Sequence, residues 1–306
     1  MYKTVYTSDL NSQEIKGVFL GAKYDDYVRC DHCGSDRIYI TNSSTKTVYR
    51  CRRCWRHFSL TTNTFLAYTK LPLRLWHEIV WCFVLLTSAN KASKILKTSD
   101  HRVVLSAYQT IREALWHHSD HGWDGNEKND PGTYEVDESY FGGKFQNLRK
   151  QVRDRLRKQG LAKRGRGAKY RKQPVVGVFR RNGTVYLKPI PSCDKTIIES
   201  VIEGLVPKDS DIYSDTFQTY NNLEALGYVH FTIDHGKKQY VDGVVHINGL
   251  EGFWGLSKTN MFVYKGIRKK NWIYYLKEME FRYNFRNLEY EQRVQKIIRI
   301  LMRNFD

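Results

Sequence analysis

From residue 71 to about 118 the apolar positions recur at helical spacing; they then alternate, and return to helical spacing near the end of the chain. Between Leu71 and Leu86, Trp76, Ile79, Val80, Phe83 and Val84 line one face of an amphipathic helix. Residues 88–97 predict a short second helix. A turn at Thr98 and Ser99 leads into a third, from Asp100 to about His117. Asp100 is its expected N-cap, and Val103, Val104, Ala107, Ile111, Ala114 and Leu115 its buried stripe. A tight turn before the last of three helices predicts a helix-turn-helix-like DNA-binding unit over residues 69–118, with a plain helical bundle as the alternative. Residues 119–132, rich in Asp, Gly and Asn, read as a linker.

At Thr133 the period falls to two. Tyr134 to Phe141 predicts a strand closed by Gly142 and Gly143. Pro174 to Arg181 and Thr184 to Ile190 predict two more, joined at Asn182-Gly183, a strong hairpin signal. A helix follows from Asp194 to about Leu205, then a short strand from Asp211 ending at Asp215. A helix from Phe217 to Leu226, a strand from Tyr228 to Ile233 and a helix starting near Asn248 complete the series. The order β-β-β-α-β-α-β-α predicts an α/β, RNase H-like fold, a mixed sheet with helices on both faces. Trp272, Tyr275, Leu276, Met279 and Tyr283 form one late stripe, and Val294, Ile297, Ile298 and Leu301 another, both expected to pack against that sheet.

The organisation is therefore a lead-in over 1–29, a metal-binding module over 30–60, the helical unit over 69–118, a catalytic domain over 133–262 and C-terminal helices over 263–306. Hydrophobic residues are 41% and charged residues 27% of the 306, enough for a packed core. A net charge of +18 favours a polyanionic partner, most simply nucleic acid. No run of eighteen apolar residues occurs and residues 1–29 lack a signal-peptide pattern, so the expected location is cytoplasmic, with no membrane partner.

Six cysteines in such a chain point to metal ligation rather than disulfides. Cys30-Asp-His-Cys33 and Cys51-Arg-Arg-Cys54 match a four-thiolate zinc ribbon binding one structural Zn2+, which supplies folding energy a small module lacks. A redox Cys-x-x-Cys pair is the competing reading. His32 and His57 are bystanders, since four thiolates fill a closed site. Arg50, Arg52, Arg53 and Arg56 surround the second knuckle and suggest DNA contact. His117, His118 and His121 read as decoration of a helix end.

Two aspartates sit where predicted strands end: Asp137 in Tyr-Glu-Val-Asp-Glu-Ser-Tyr and Asp215 in Asp-Ile-Tyr-Ser-Asp-Thr-Phe. On the helix from Asn248, offsets of three, seven and ten put Asn248, Glu251, Gly255 and Lys258 on one face. Asp137, Asp215 and Glu251 together form a carboxylate cluster able to hold two divalent ions, Mg2+ or Mn2+, with Asp137 bridging. Asn248 is the rival to Glu251, ranked second because a neutral amide binds magnesium less well. Alternation turns Glu138 to the other face, Asp211 opens its strand, and Asp234 and Asp242 are loop acids. Between the first two strands, Lys144 to Lys172 holds thirteen Lys and Arg against Asp154 alone, a local charge of 13 − 1 = +12. Such runs are usually solvated; beside Asp137 this one reads as an arm tracking a phosphate backbone. Its expected DNA contacts are Lys144, Arg149, Lys150, Arg153, Arg164, Arg166, Lys169, Arg171 and Lys172, with Arg52, Arg53 and Lys258 outside it.

Glu-Val-Asp-Glu-Ser-Tyr-Phe-Gly-Gly-Lys, Ser-Asp-Thr-Phe-Gln-Thr-Tyr and His-Ile-Asn-Gly-Leu-Glu-Gly-Phe-Trp-Gly-Leu-Ser-Lys together resemble the ISXO-like insertion-sequence transposases, relatives of the Merlin elements. The likeness spans nearly the whole chain. It implies a DDE transposase that binds double-stranded DNA at terminal inverted repeats, cuts it and joins it to target DNA as a homo-oligomer. By that likeness Asp137, Asp215 and Glu251 are the acidic triad and Lys258 the associated base on DNA phosphate. Related groups carry Asn at the third position, which keeps Asn248 open. His246 matches the family motif without a derived role. A DNA-binding regulator and an RNase H-like nuclease without strand transfer are the alternative functions.

Overall fold

The computed structural model describes residues 10–25, 27–42, 47–120, 131–142, 145–161, 172–181, 183–216, 220–233, 248–264 and 266–303. The chain divides into two units, Met1–His118 with Asn287–Asp306, and Ser119–Arg286.

In the first unit, Asn11 starts helix α1 (Ser12–Tyr24). Its Oδ1 accepts from the amides of Gln13 and Glu14 while its own amide donates to Glu14, a reciprocal capping box. Only Ile15 and Phe19 of α1 are buried, too sparse a stripe to stand out in a polar sequence. Three strands follow, β1 (Ile38–Asn42), β2 (Thr47–Cys51) and β3 (His57–Ser59), in an antiparallel sheet of that order. Tyr49 stacks on Phe58 at 5.3 Å, and both bury with Cys30 and Cys51. Lys23 at the end of α1 pairs with Asp31 of the first knuckle at 2.7 Å, with both side chains under 4% exposed. Lys23 also donates to the carbonyls of Leu60 and Thr62, and Tyr24 donates to Asp31, so the buried charges are fully hydrogen-bonded.

Helices α2 (Leu73–Val84), α3 (Ala89–Ile95) and α4 (His101–Asp120) lie where the periodicity predicts. Asp100 Oδ1 accepts from the Arg102 amide at 2.8 Å, the bond expected of the N-cap. The α4 stripe buries Val104, Ala107, Ile111, Ala114 and Leu115, with Tyr108 added and Val103 only half-buried.

In the second unit, β4 (Thr133–Phe141) runs antiparallel to β5 (Gln173–Arg180), which pairs with β6 (Val185–Pro189). Between β4 and β5 lies α5 (Lys150–Lys158), a helix inside the basic insertion that its polar sequence hides, since none of its residues is buried. The β5–β6 hairpin forms, but not with the two-residue turn expected at Asn182-Gly183: the Arg180 amide donates to the Thr184 carbonyl at 2.9 Å, which leaves positions 181–183 in the connection, with Asn182 outside the described residues. Helix α6 (Lys195–Leu205) packs on β5. Strand β7 (Asp211–Asp215) is parallel to β4, and β8 (Val229–Ile233) is parallel to β7, giving the order β6-β5-β4-β7-β8.

The helix expected over Phe217–Leu226 is corrected where it is described: Tyr220 is in 3-10 conformation and residues 221–227 form successive turns. Only Tyr220 and Leu223 are buried there, enough to anchor one turn, and Gly227 at φ 86 reverses the chain into β8.

Helix α7 (Asn248–Met261) lies against β4 and β5, and α8 (Trp272–Asn284) against β6 and α7. Asn284 closes the open edge of β6: its carboxamide accepts from the Val185 amide at 2.8 Å and donates to the Val185 carbonyl at 3.0 Å. The last helix, α9 (Tyr290–Met302), buries its predicted stripe, but against α1 and α2 of the first unit rather than the sheet. Two late stripes look alike in sequence, and only the partners available in space separate them.

Candidate active site

Strand β4 alternates two sets of side chains. Glu135, Asp137 and Phe141 turn toward α7, whereas Glu138 turns away and accepts from Tyr220 Oη at 2.8 Å. Directly across the ladder from Asp137 stands Gly177 of β5. A Cβ there would lie 2.6 Å from the Trp254 ring, so the bare backbone is what lets the α7 indole lie on the sheet. From that position Trp254 Nε1 donates to Asp137 Oδ2 at 2.9 Å.

Glu135, 1% exposed, fixes the start of the same helix. Its Oε2 accepts from the Leu250 amide at 2.9 Å in the first turn of α7, and its Oε1 from Arg181 Nε at 3.1 Å. A carboxylate at a helix N-terminus meets both an orphan N–H and the positive end of the dipole. Gly249 makes the approach possible, since a Cβ there would meet Phe179 at 2.3 Å. Glu135, Trp254 and Gly177 are the site's supports that sequence reasoning missed. The glycine inside a strand was the available signal.

Asp215 reaches the same place through parallel register. Thr133 to Glu135 pair with Asp211 to Tyr213, so two residues on Asp137 and Asp215 come level; Asp215 ends β7, but Asp137, expected at a strand end, lies midway along β4, which continues beside β5 to Phe141. Burial pushes the Asp137 carboxyl up to about 6, and the negative charges of Asp215 and Glu251 push the same way. Asp137 therefore senses both of the other acids. Their oxygens are more widely spread than the sulfurs of the ribbon: Cys30, Cys33, Cys51 and Cys54 are the one set among the described residues whose ligand atoms all lie within 4.8 Å.

Helix α7 starts at Asn248, whose side chain lies outside the described residues. Leu250, Phe253, Trp254, Ser257 and Met261 are buried, leaving Glu251, Gly255 and Lys258 together on the exposed face. Gly252 and Gly255 have nothing within 4 Å of a built Cβ, so a ligand can approach the backbone closely there. Lys258 Nζ stands 6.0 Å from the Phe141 ring. Burial lowers its pKa, opposed by the Asp137 charge and helped by that of Lys172, which sets Lys258 near Asp137 and Lys172 near Lys258.

Of the other basic candidates, Arg52, Arg53, Arg149 and Lys150 are exposed, and Arg153 and Lys172 half-buried. Lys144, Arg164, Arg166, Lys169 and Arg171 lie outside the described residues, as do Asp234, Asp242, His246 and His121. In the ribbon, Cys30 and Cys54, and Cys33 and Cys51, approach to 3.6 Å. The amides of His32 and Arg53 point at Cys30 and Cys51 sulfur. Backbone donors at Cys54 and Arg53 hold the Cys51 thiol down to about 6, favouring its thiolate. Four soft sulfurs at this spacing fit a tetrahedral zinc ion.

Residues 131–284, just over half of the chain, match the ISXO2-like transposase domain. A Haemophilus influenzae protein described as an "Uncharacterized transposase-like protein" is 33% identical over 100 residues, 33% of this chain and 80% of that one. A Halobacterium salinarum protein described as an "Uncharacterized protein in transposable element ISH50" is 27% identical over 263 residues, 83% of this chain and 85% of that one. No solved structure matches the chain.

Proposed function

The chain belongs to the ISXO2-like transposase family, and on that premise we propose that it cuts DNA at the ends of an insertion sequence and joins those ends to target DNA. The observation that carries this reading is the meeting of Asp137, midway along β4, and Asp215, at the end of the parallel strand β7, with Glu251 on a helix anchored to β4. The strand order β6-β5-β4-β7-β8, with β5 the reversed neighbour of β4, supports an RNase H-like core. Residues 30–60 are read as a zinc ribbon, 69–118 as the helix-turn-helix-like unit that reads DNA, and 133–262 as the catalytic domain.

Asp137, Asp215 and Glu251 would hold two Mg2+ or Mn2+ ions, with Asn248 the alternative to Glu251. The donor set fits: hard oxygens only, with mutual repulsion at Asp137 that a divalent cation relieves. When bound, such ions supply charge for an in-line displacement at phosphorus, in which a hydroxyl oxygen bonds to phosphorus as the 3′ oxygen departs. The chain's own groups position that event. Trp254 orients Asp137, Glu135 fixes the helix carrying Glu251, Lys258 and Lys172 face the phosphate, and the exposed glycines admit the DNA backbone. A homo-oligomer on DNA brings two ends together, and the cytoplasm is the compartment where DNA is met.

The direct test incubates the purified chain with duplex carrying the element ends, target DNA and Mg2+. Cleaved and joined products support the reading; cleavage without joining would make it a nuclease, and neither would make it a binding protein. Trp254→Phe keeps the ring but loses the donor to Asp137, and should slow cleavage about tenfold while moving its pH midpoint upward, because a hydrogen bond to the charged form is lost. An unchanged pH profile would reduce Trp254 to packing.

The basic insertion should grip phosphate without reading bases. Each phosphate contact contributes about 0.9 to the magnitude of the slope of log affinity against log salt, so replacing an arm (residues 144–172) that uses roughly four to six of its cations by a short Gly-Ser loop should reduce that magnitude by roughly four to five. Preference for end sequence should survive, being supplied by the helical unit. An unchanged slope would make the segment a solvated loop.

A further inference from the structure

The two cysteine knuckles are built alike and finished differently. After each second cysteine the chain passes through the left-handed region, Gly34 at φ 70 and Trp55 at φ 62. Each amide closes the same turn, Gly34 onto the Cys30 carbonyl at 2.9 Å and Trp55 onto the Cys51 carbonyl at 3.0 Å. Glycine occupies that conformation freely, whereas a bulky aromatic is strained in it. Burial does not compensate: the Trp55 ring is 62% exposed, and the cluster beneath the knuckles is made by Cys30, Tyr49, Cys51 and Phe58. What accompanies the indole is positive charge. The Arg50 guanidinium stands 5.3 Å from its ring, Arg52 stands 5.4 Å from Tyr39, and Arg53 and Arg56 are exposed on either side of it in sequence. No acidic residue occurs from Arg37 to His77.

A protruding indole backed by a guanidinium, in a stretch without acids, matches a flat, π-faced, anionic partner. We propose that Trp55 and Arg50 form a stacking platform for an unpaired DNA base, with Arg52 and Arg53 on the flanking phosphates. In a closed duplex the bases offer only their edges, while a frayed or cut end exposes a base face on which an aromatic ring can stack. The platform rests on the reading of DNA as the partner and adds to it the state of that DNA, an opened end.

The test measures affinity of the full chain, and of Trp55→Gly and Trp55→Phe, for one duplex in two forms, blunt and with a short single-stranded thymine overhang. The parent should prefer the overhang, and Trp55→Gly should bind it about tenfold more weakly with blunt-duplex affinity unchanged. Trp55→Phe should retain most of the preference. Because glycine relieves the turn, Trp55→Gly should keep its zinc and melt no lower than the parent. Equal overhang affinity in Trp55→Gly, or no preference in the parent, overturns the platform alone. Equal loss on both DNAs makes the ring a duplex contact, and lost zinc with a lower Tm makes it structural; either overturns the proposal. A parent that binds neither DNA removes the DNA reading itself.

Discussion

Asp137→Asn and Asp215→Asn should each reduce DNA cleavage by about a thousandfold or more while the chain still folds and binds element ends. Asp137 lies midway along β4 and Asp215 ends β7, and neither belongs to the apolar cluster of Phe141, Val175, Phe179, Leu250 and Trp254, so an isosteric amide opens no cavity. The loss is of charge directed at the reacting phosphate. Glu251→Gln should behave the same way; near-normal joining by Glu251→Gln with loss in Asn248→Ala would transfer the third role to Asn248. Acid should mimic the substitutions. Burial and two neighbouring acids raise the Asp137 carboxyl to about 6, so it is ionised above that pH and protonated below it. Divalent-ion affinity and cleavage should therefore both fall as pH drops through about 6, since proton and metal compete for the same oxygens. Titrating Mn2+ against the protein at pH 7.5 and 5 checks this without reference to activity. Equal affinity at the two values would remove Asp137 from the ligand set.

Loss of the ribbon metal should have the other large effect. Cys51→Ser should release zinc and unfold residues 30–58, because metal binding of roughly 10–16 kcal/mol is the folding free energy of so small a module. The described core there is four residues, Cys30, Tyr49, Cys51 and Phe58, with partly buried neighbours. Without a cation nothing joins the four sulfurs that lie within 4.8 Å of one another, and the knuckles lose the geometry their amide–sulfur bonds reflect. Elemental analysis should give one zinc per chain, and hydrogen exchange of Cys51→Ser should show protection lost in β1–β3 but retained in β4 and β5. Protein purified without chelators that contains no zinc would refute the assignment.

Local chemistry alone determined much of this molecule. The four cysteines announce themselves because two cysteine pairs, each with two residues between its members, at ribbon spacing suit a tetrahedral metal. The helices over 73–84, 89–95 and 101–120 follow from an apolar period that only a 3.6-residue turn satisfies. Asp137 and Asp215 stood out as candidates because of the short apolar alternations that lead to them, although only Asp215 ends its strand, and Glu251 because its helix shares one face with Lys258. Where local apolar pattern was thin, sequence misled or stayed silent: α1 and α5 have too few buried positions to signal a helix, and residues 220–227 have enough for a turn only. Tertiary structure decided the rest, because it depends on pairs distant in the chain. That Asp137 lies beside Asp215 is a matter of strand register across 78 positions, 215 − 137. That α7 stays on β4 depends on Glu135 capping Leu250, 115 residues away, and on Gly177 leaving room for Trp254. That α9 returns to α1 and α2 instead of the sheet is a choice among apolar partners. Burial is non-directional, so one stripe of Val, Ile and Leu fits either surface until the whole chain has folded.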